Sequence, residues 1–319
     1  MNSSKLISDK RNSLVSLRDL QGIDKVLLHL EVAEKHFDRG YSEDDNDAYT
    51  DVIYRTNQVF EGILKEAYEV LSGKSGDRTT PAKIENYFQK GNVFKSRVID
   101  YFTQYRRNWR NPSTHDHRLD FSEQEAFLAI STVTAFCFVV IDQMVLELAR
   151  LKALKSETPH KKIDLSSGEG LAFALSESLP ELLKMKEITE SSPEMTELYI
   201  LGILDGFMEG LMPEVEIQSE PEVVSGNRTF KPDILALQNE KKLIVEVKRT
   251  NWNSIGRAVR SVKKKLLDSL DGLDADFAVG VIVPSKVPIK DPIGYEVIKE
   301  SAENKHILVV KPVNESDDS

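Results

Sequence analysis

The chain has 319 residues, of which 52 are acidic and 42 basic, for a net charge of −10. That acidic balance speaks against indiscriminate coating of nucleic acid or of an anionic membrane. The single cysteine, Cys137, excludes an intrachain disulfide and a cysteine-based zinc site.

Length and a 40% hydrophobic content suit two soluble domains with sizeable cores. The opening "MNSSKLISDKRNSL" has no apolar signal core, so a reducing, cytoplasmic location is expected. Apolar residues at three- and four-residue spacing predict a helix over "SLVSLRDLQGIDKVLLHLEVAEKHF", with Arg39-Gly40 as its C-cap and the acidic loop "SEDDND" after it. In "DVIYRTNQVFEGILKEAYEVLSG", Phe60, Ile63, Leu64, Ala67 and Leu71 form one stripe that ends at Ser72-Gly73. Pro81 opens a shorter helix. A fourth, "NVFKSRVIDYFTQYRRNWR", is expected to halt at Pro112. A long helix follows from Ser122 to Leu154, with Glu123 and Glu125 near its start, as the helix dipole prefers. Its apolar run, 126 to 141, falls short of a membrane span and reads as a buried helix.

The polar stretch "KSETPHKKIDLSSGEG" marks a boundary. After "LAFALSESLPELLKMK", read as one short helix or two, comes an amphipathic helix with Ser192 as its expected N-cap. Short β-rich runs follow: "EVEIQSE", "KPDILAL", "KLIVEVKR", "DFAVGVIVP" and "HILVVKP", with the helix "SIGRAVRSVKKKLLDSL" between the third and fourth. The fold class is therefore α+β: a helical domain over 1–155, a linker with a short helix over 156–190, an α/β domain over 191–312 and a disordered tail over 313–319.

Two constellations carry chemistry. If "KPDILALQNEKKLIVEVKR" is a hairpin turning near Asn239-Glu240, Asp233 falls opposite Glu246 or its neighbour. Alternation puts Glu246 and Lys248 on one face, and direct opposition adds Asp233 to it. Two carboxylates so placed on an apolar sheet need neutralising, and Mg²⁺ (or Mn²⁺) with a phosphate as further ligand would do so. The alternative is a half-exposed hairpin whose charges face water. Upstream, "RNPSTHD" brings Arg110, Asn111 and His115 to the edge of a helix. A guanidinium clamps phosphate and a histidine moves protons near neutrality, which suits transfer of phosphate to a ribose 2′-hydroxyl without metal. Its alternative is a capping loop with an Arg110–Asp116 pair. Basic residues cluster around both stretches, from Lys90 to Arg118 and from Lys241 to Lys265. Tyr105 and Trp109 are expected to pack at a helix–helix or dimer interface, with stacking on bases as the alternative, and His29, His36, His160 and His306 to be ordinary surface or helix residues.

With its αβββαβ element order, the second half resembles the PD-(D/E)xK nuclease family, the restriction-endonuclease-like fold, over about residues 192 to 311. The resemblance implies Asp233, Glu246 and Lys248 as its motif residues. It adds a glutamate from the first helix, Glu197 by preference and Glu194 next, with Asp233, Glu246 and Glu197 as metal ligands. Residues 10 to 150 resemble a HEPN domain: "RNPSTH" fits its Arg-x4-His motif, and Glu61 matches an acidic position on its early helix. This implies a homodimer with a composite, metal-independent RNase site made of Arg110, Asn111 and His115. His117 and Arg118 stand where some members carry a tyrosine, so regulation by modification of that tyrosine is not expected. Together the resemblances imply a prokaryotic antiviral nuclease that cuts DNA with Mg²⁺ and handles RNA, with no membrane. Two alternatives stay open: an RNase toxin whose second domain only binds nucleic acid, and a helical domain that only senses or dimerises.

Overall fold

The computed structural model describes residues 2–91, 93–94, 96–115, 119–155, 168–184, 196–238, 241–275, 277–285, 293–302 and 305–314. The chain divides into two units, Met1–Leu148 and Ala149–Ser319.

The first unit is helical: α1 (Ser3–Arg11), α2 (Gln21–Glu43), α3 (Asp47–Ser72), α4 (Pro81–Lys90), α5 (Ser96–Tyr105), a π-helical turn (Arg106–Arg110), α6 (Asn111–His115) and α7 (Glu123–Lys155). α3 ends at Gly73, whose φ of 66° is left-handed, and Pro81 occupies the first turn of α4, as expected from sequence. Ser122 and Glu125 form a reciprocal cap at the start of α7, with Ser122 N–H donating to Glu125 Oε2 at 2.9 Å. α7 is long and apolar enough to cross a membrane by length and composition. It buries Ala129, Val133, Phe136, Cys137, Val140 and Ile141 in the helical core, where burial pushes the Cys137 thiol up to about 12.

Three expectations need correcting here. The first predicted helix is broken, because residues Val15 to Leu20 are not helical and α2 starts at Gln21. Gly40 is not a cap: it lies inside α2, and a Cβ there would come within 2.7 Å of the Tyr49 ring, so close packing demands the glycine. The cap is Asp44, with φ 53°. Pro112 does not halt the helix either. The wide turn before it bonds Asn111 N–H to Arg106 O, five residues back, which accommodates a proline lacking an N–H, and helix resumes as α6.

The second unit holds α8 (Gly168–Leu183), α9 (Glu197–Leu211), α10 (Ile255–Leu273) and eight strands: β1 (Glu216–Ser219), β2 (Val223–Ser225), β3 (Arg228–Phe230), β4 (Ile234–Gln238), β5 (Lys241–Thr250), β6 (Phe277–Pro284), β7 (Ile293–Ala302) and β8 (Lys305–Asn314). Six strands form one mixed sheet in the order β1-β4-β5-β6-β8-β7, and β2–β3 form a separate hairpin. The β5–β6 and β6–β8 pairs are parallel and the others antiparallel. Every residue of β6 is buried, as a central strand covered on both faces requires. α10 covers one face with Val262, Leu266 and Leu270 over Ile244, Ala278 and Ile282, and α8 packs against β5, β6, β7 and β8.

The predicted order of helix, three strands, helix and strand is present, but it is interrupted by the β2–β3 hairpin and extended by β7, neither of which was foreseen. The N-cap of α9 is Thr196, whose hydroxyl accepts from Tyr199 N–H at 3.1 Å; Ser192 lies outside the described residues. The segment expected as linker contains α8, which belongs to the sheet's packing, and β8 runs to Asn314, past the predicted start of the tail.

Candidate functional site

The β4–β5 register decides the first site. Ile234 pairs with Val245 and Gln238 with Lys241, so the same register places Asp233, one residue before β4, opposite Glu246. Asp233 Oδ2 accepts a hydrogen bond from Val247 N–H at 2.7 Å, which ties the carboxylate to β5. Glu246 shares its strand face with Ile244, a core residue beneath α10, and its side chain is 2% exposed. Across this face α10 brings Lys265, whose ammonium is ion-paired with Glu246 and lies 3.5 Å from Asp233 Oδ1. Val262, Leu266 and Leu270 point α10 at the sheet, and Lys265 sits beside Leu266 at the margin of that buried stripe.

The electrostatics are those of a buried carboxyl crowded by a second, partly exposed carboxylate. Burial, followed by the negative charge of Asp233, pushes the Glu246 carboxyl up to about 8, against the opposing pull of Lys265. Burial works against the Lys265 ammonium, yet the hydrogen bond and charge of Glu246, with Asp233 behind it, hold its pKa above the ordinary value. Glu246 Oε1 is buried and has no hydrogen-bond partner among the described residues. An orphaned carboxylate oxygen beside a second carboxylate is a hard, anionic donor set of the kind Mg²⁺ or Mn²⁺ takes.

Lys248 and Glu197 form a second pair, 3.6 Å apart, with side chains about half exposed. Glu197 is the first residue of α9, where its charge also suits the helix dipole. The four residues expected as one cluster are thus joined as two pairs, Asp233–Glu246 and Lys248–Glu197, with Lys265 bridging the first. Among the described residues no group of three His, Cys, Asp or Glu converges on one point. Glu194 lies outside the described residues.

No protein-family model, curated protein or solved structure matches this chain. What the sites can do rests on their own chemistry.

The second site is in the helical unit. Arg110 closes the π-helical turn, and its Nε donates to Glu61 Oε1 on α3 at 2.7 Å; the two side chains are 24% and 33% exposed. Arg110 Nη1 also donates to Asn111 Oδ1 at 3.3 Å. Beneath this pair runs a buried chain in which Tyr105 donates to Asn57 at 3.2 Å and Asn57 donates to Ser113 at 2.7 Å. Ser113 in turn donates to the Arg110 carbonyl at 3.1 Å, anchoring the turn that carries the arginine. Arg106, one turn earlier, is paired with Glu85 at 2.8 Å. Trp109 lies tilted against Tyr105, one turn before it on the same helical stretch, with centroids 5.3 Å apart, while Tyr105 packs on Phe60 of α3 and Phe136 of α7, a helix–helix contact as expected. Arg110 therefore has its carboxylate on α3, while Asp116 and the side chain of His115 lie outside the described residues.

Two contributors escaped sequence reasoning. Lys265 was only one cation in a basic cluster; the signal was its position one step off the apolar stripe of α10. The Asn57–Tyr105–Ser113 chain left no signal, because its members are 48 and 56 residues apart from Asn57.

Proposed function

We propose that the Asp233–Glu246 pair is the centre of a divalent-cation-dependent phosphodiesterase acting on nucleic acid, with DNA as the substrate and a restriction-endonuclease-like fold beneath it. The observation that supports this is a buried glutamate with one oxygen unpartnered, held against a second carboxylate by a lysine. Such an arrangement costs free energy in a folded core unless function retains it. Asp233 and Glu246 would hold the cation, and Glu197 joins them if its link to Lys248 yields. When bound, Mg²⁺ supplies Lewis-acid polarisation of a phosphoryl oxygen and lowers the pKa of a bound water. Lys248, half exposed at the end of the same strand face, is available to orient a water and to offset charge developing on the phosphoryl oxygens. Hydrolysis adds that water to phosphorus and breaks the bond to the 3′-oxygen, which takes a proton and leaves a 5′-phosphate end.

The helical unit supports a second activity. A guanidinium held by Glu61 at the end of a π-helical turn, followed by Asn111, is a built phosphate clamp. With His115 as proton carrier this is the HEPN reading: metal-independent cleavage of RNA by a homodimer, in a cytoplasmic antiviral system. The test is one experiment with two arms. Plasmid DNA and total RNA are incubated with the full chain, in Mg²⁺ and in EDTA, beside Asp233→Ala and His115→Ala. Mg²⁺-dependent DNA cleavage lost in Asp233→Ala is expected, and full cleavage by that variant overturns the first reading. RNA cleavage in EDTA that survives in His115→Ala overturns the second.

A further inference from the structure

Most of the cations around α10 are already engaged. Lys248 pairs with Glu197, Lys263 with Glu300, and Lys265 with Glu246 and Asp233, while Lys242 donates to the Leu273 carbonyl and Arg249 to the Ser285 carbonyl. Arg257, Arg260 and Lys264 are different. All three are exposed on α10, and none has a carboxylate at ion-pair distance among the described residues. At about 100° per residue they fall within about 60° of arc, opposite the buried Val262–Leu266–Leu270 stripe, and at 1.5 Å per residue they span roughly 10 Å. In a chain with ten more acids than bases, a bare cationic stripe on one helix face is an exception to the surrounding charge. The stripe and the carboxylate pair are served by the same helix, since the residue after Lys264 is the lysine that holds Glu246.

We propose that the outer face of α10 is the docking track for the substrate's phosphodiester backbone, with Arg257, Arg260 and Lys264 each taking a phosphate. The proposal rests on the reading of Asp233–Glu246 as a phosphodiesterase site and names how that site is supplied with substrate. Each strand of duplex DNA carries one charge per about 3.4 Å of axis, so a track of this length faces roughly three phosphates of one backbone, one for each side chain. A membrane surface is the wrong partner, because a helix that lies on lipid needs its apolar face free, and α10 spends that face on the sheet.

Neutralising a phosphate releases a counterion, which makes the test quantitative. Binding of the full-length protein to a short fluorescein-labelled DNA duplex is measured in EDTA by anisotropy over a range of salt concentrations. Arg257→Gln, Arg260→Gln and Lys264→Gln, singly and together, are compared with wild type, and Lys83→Gln on α4 serves as an exposed control. The slope of log K against log[salt] is expected to fall by about 0.9 per replaced side chain on duplex and about 0.7 on single strands, with Lys83→Gln unchanged. A triple variant with the wild-type slope, or a control that loses as much slope, overturns the track, as does preferential binding to anionic phospholipid vesicles over DNA. The two ideas fail separately. DNA bound through these residues but never cut with Mg²⁺ removes the phosphodiesterase and leaves the track. DNA cut by a triple variant of unaltered slope removes the track alone.

Discussion

Replacing Glu246 by glutamine isolates the free energy stored in the carboxylate pair. Burial and Asp233 raise the folded-state pKa of this carboxyl from 4.5 to about 8. A carboxyl raised on folding binds more protons in the native state than in the unfolded chain. Its contribution is therefore fully present below about pH 4.5 and is lost as pH rises through about 8. Within that window stability falls by up to about 1.4 kcal/mol per pH unit, for a total of at most about 5 kcal/mol. The side chain is 2% exposed, so solvent screening removes little of it. The chain has two tryptophans, Trp109 in the helical unit and Trp252 beside β5. In a Trp109→Phe background, urea unfolding followed by Trp252 fluorescence reports on the second unit by itself. In EDTA, the wild-type unit should lose stability steadily from about pH 5 to about pH 8, and Glu246→Gln should be flatter by the amount above. Mg²⁺ binds the carboxylate and not the acid, so its stabilisation of the wild type should grow across the same window and vanish in the variant. Parallel pH profiles for wild type and Glu246→Gln would refute the account of a strained, proton-retaining carboxyl.

Lys265→Met removes the ammonium that occupies the space between Asp233 and Glu246. Calorimetric titration of the full chain with Mn²⁺ should then give severalfold tighter binding than wild type, and equal or weaker binding would show that the lysine does not compete with a cation. Gly206 on α9 lies against Arg150 and Ala153 near the C-terminal end of α7, where an added Cβ would come within 2.2 Å of the Arg150 carbonyl oxygen. Gly206→Ala should cost about 1–3 kcal/mol and lower the melting temperature of the second unit by several degrees. An unchanged melting curve would mean that the α7–α9 approach is looser than described.

Much of the secondary structure was legible because it depends on local rules. Helical spacing located α3 and α7, Gly73 and Pro81 marked ends that any chain with those residues would make there, and β-rich runs bounded by turn residues located β4 and β5. The opposition of Asp233 and Glu246 was also within reach, since a tight hairpin leaves only neighbouring registers and the apolar face selects among them. The misreadings came where a local signal had a tertiary cause. Gly40 answers to the Tyr49 ring rather than to a helix end, and Pro112 is accommodated by a π-helical turn that only backbone geometry reveals. The β2–β3 hairpin and β7 escaped because short or charge-laden strands look like loop until a partner strand supplies their hydrogen bonds.

By itself the sequence determined two helical and strand-bearing halves and the list of charged side chains available for chemistry, because periodicity and turn residues act over a few positions. The pairing of those charges belongs to tertiary structure alone. Lys265 meets Glu246 across 19 residues, Arg110 meets Glu61 across 49, and Lys248 meets Glu197 across 51, while Arg257, Arg260 and Lys264 are left to solvent. An ion pair needs a few ångströms between charges, and only the packing of α10 on the sheet, α9 beside β5 and the π-helical turn on α3 brings them that close.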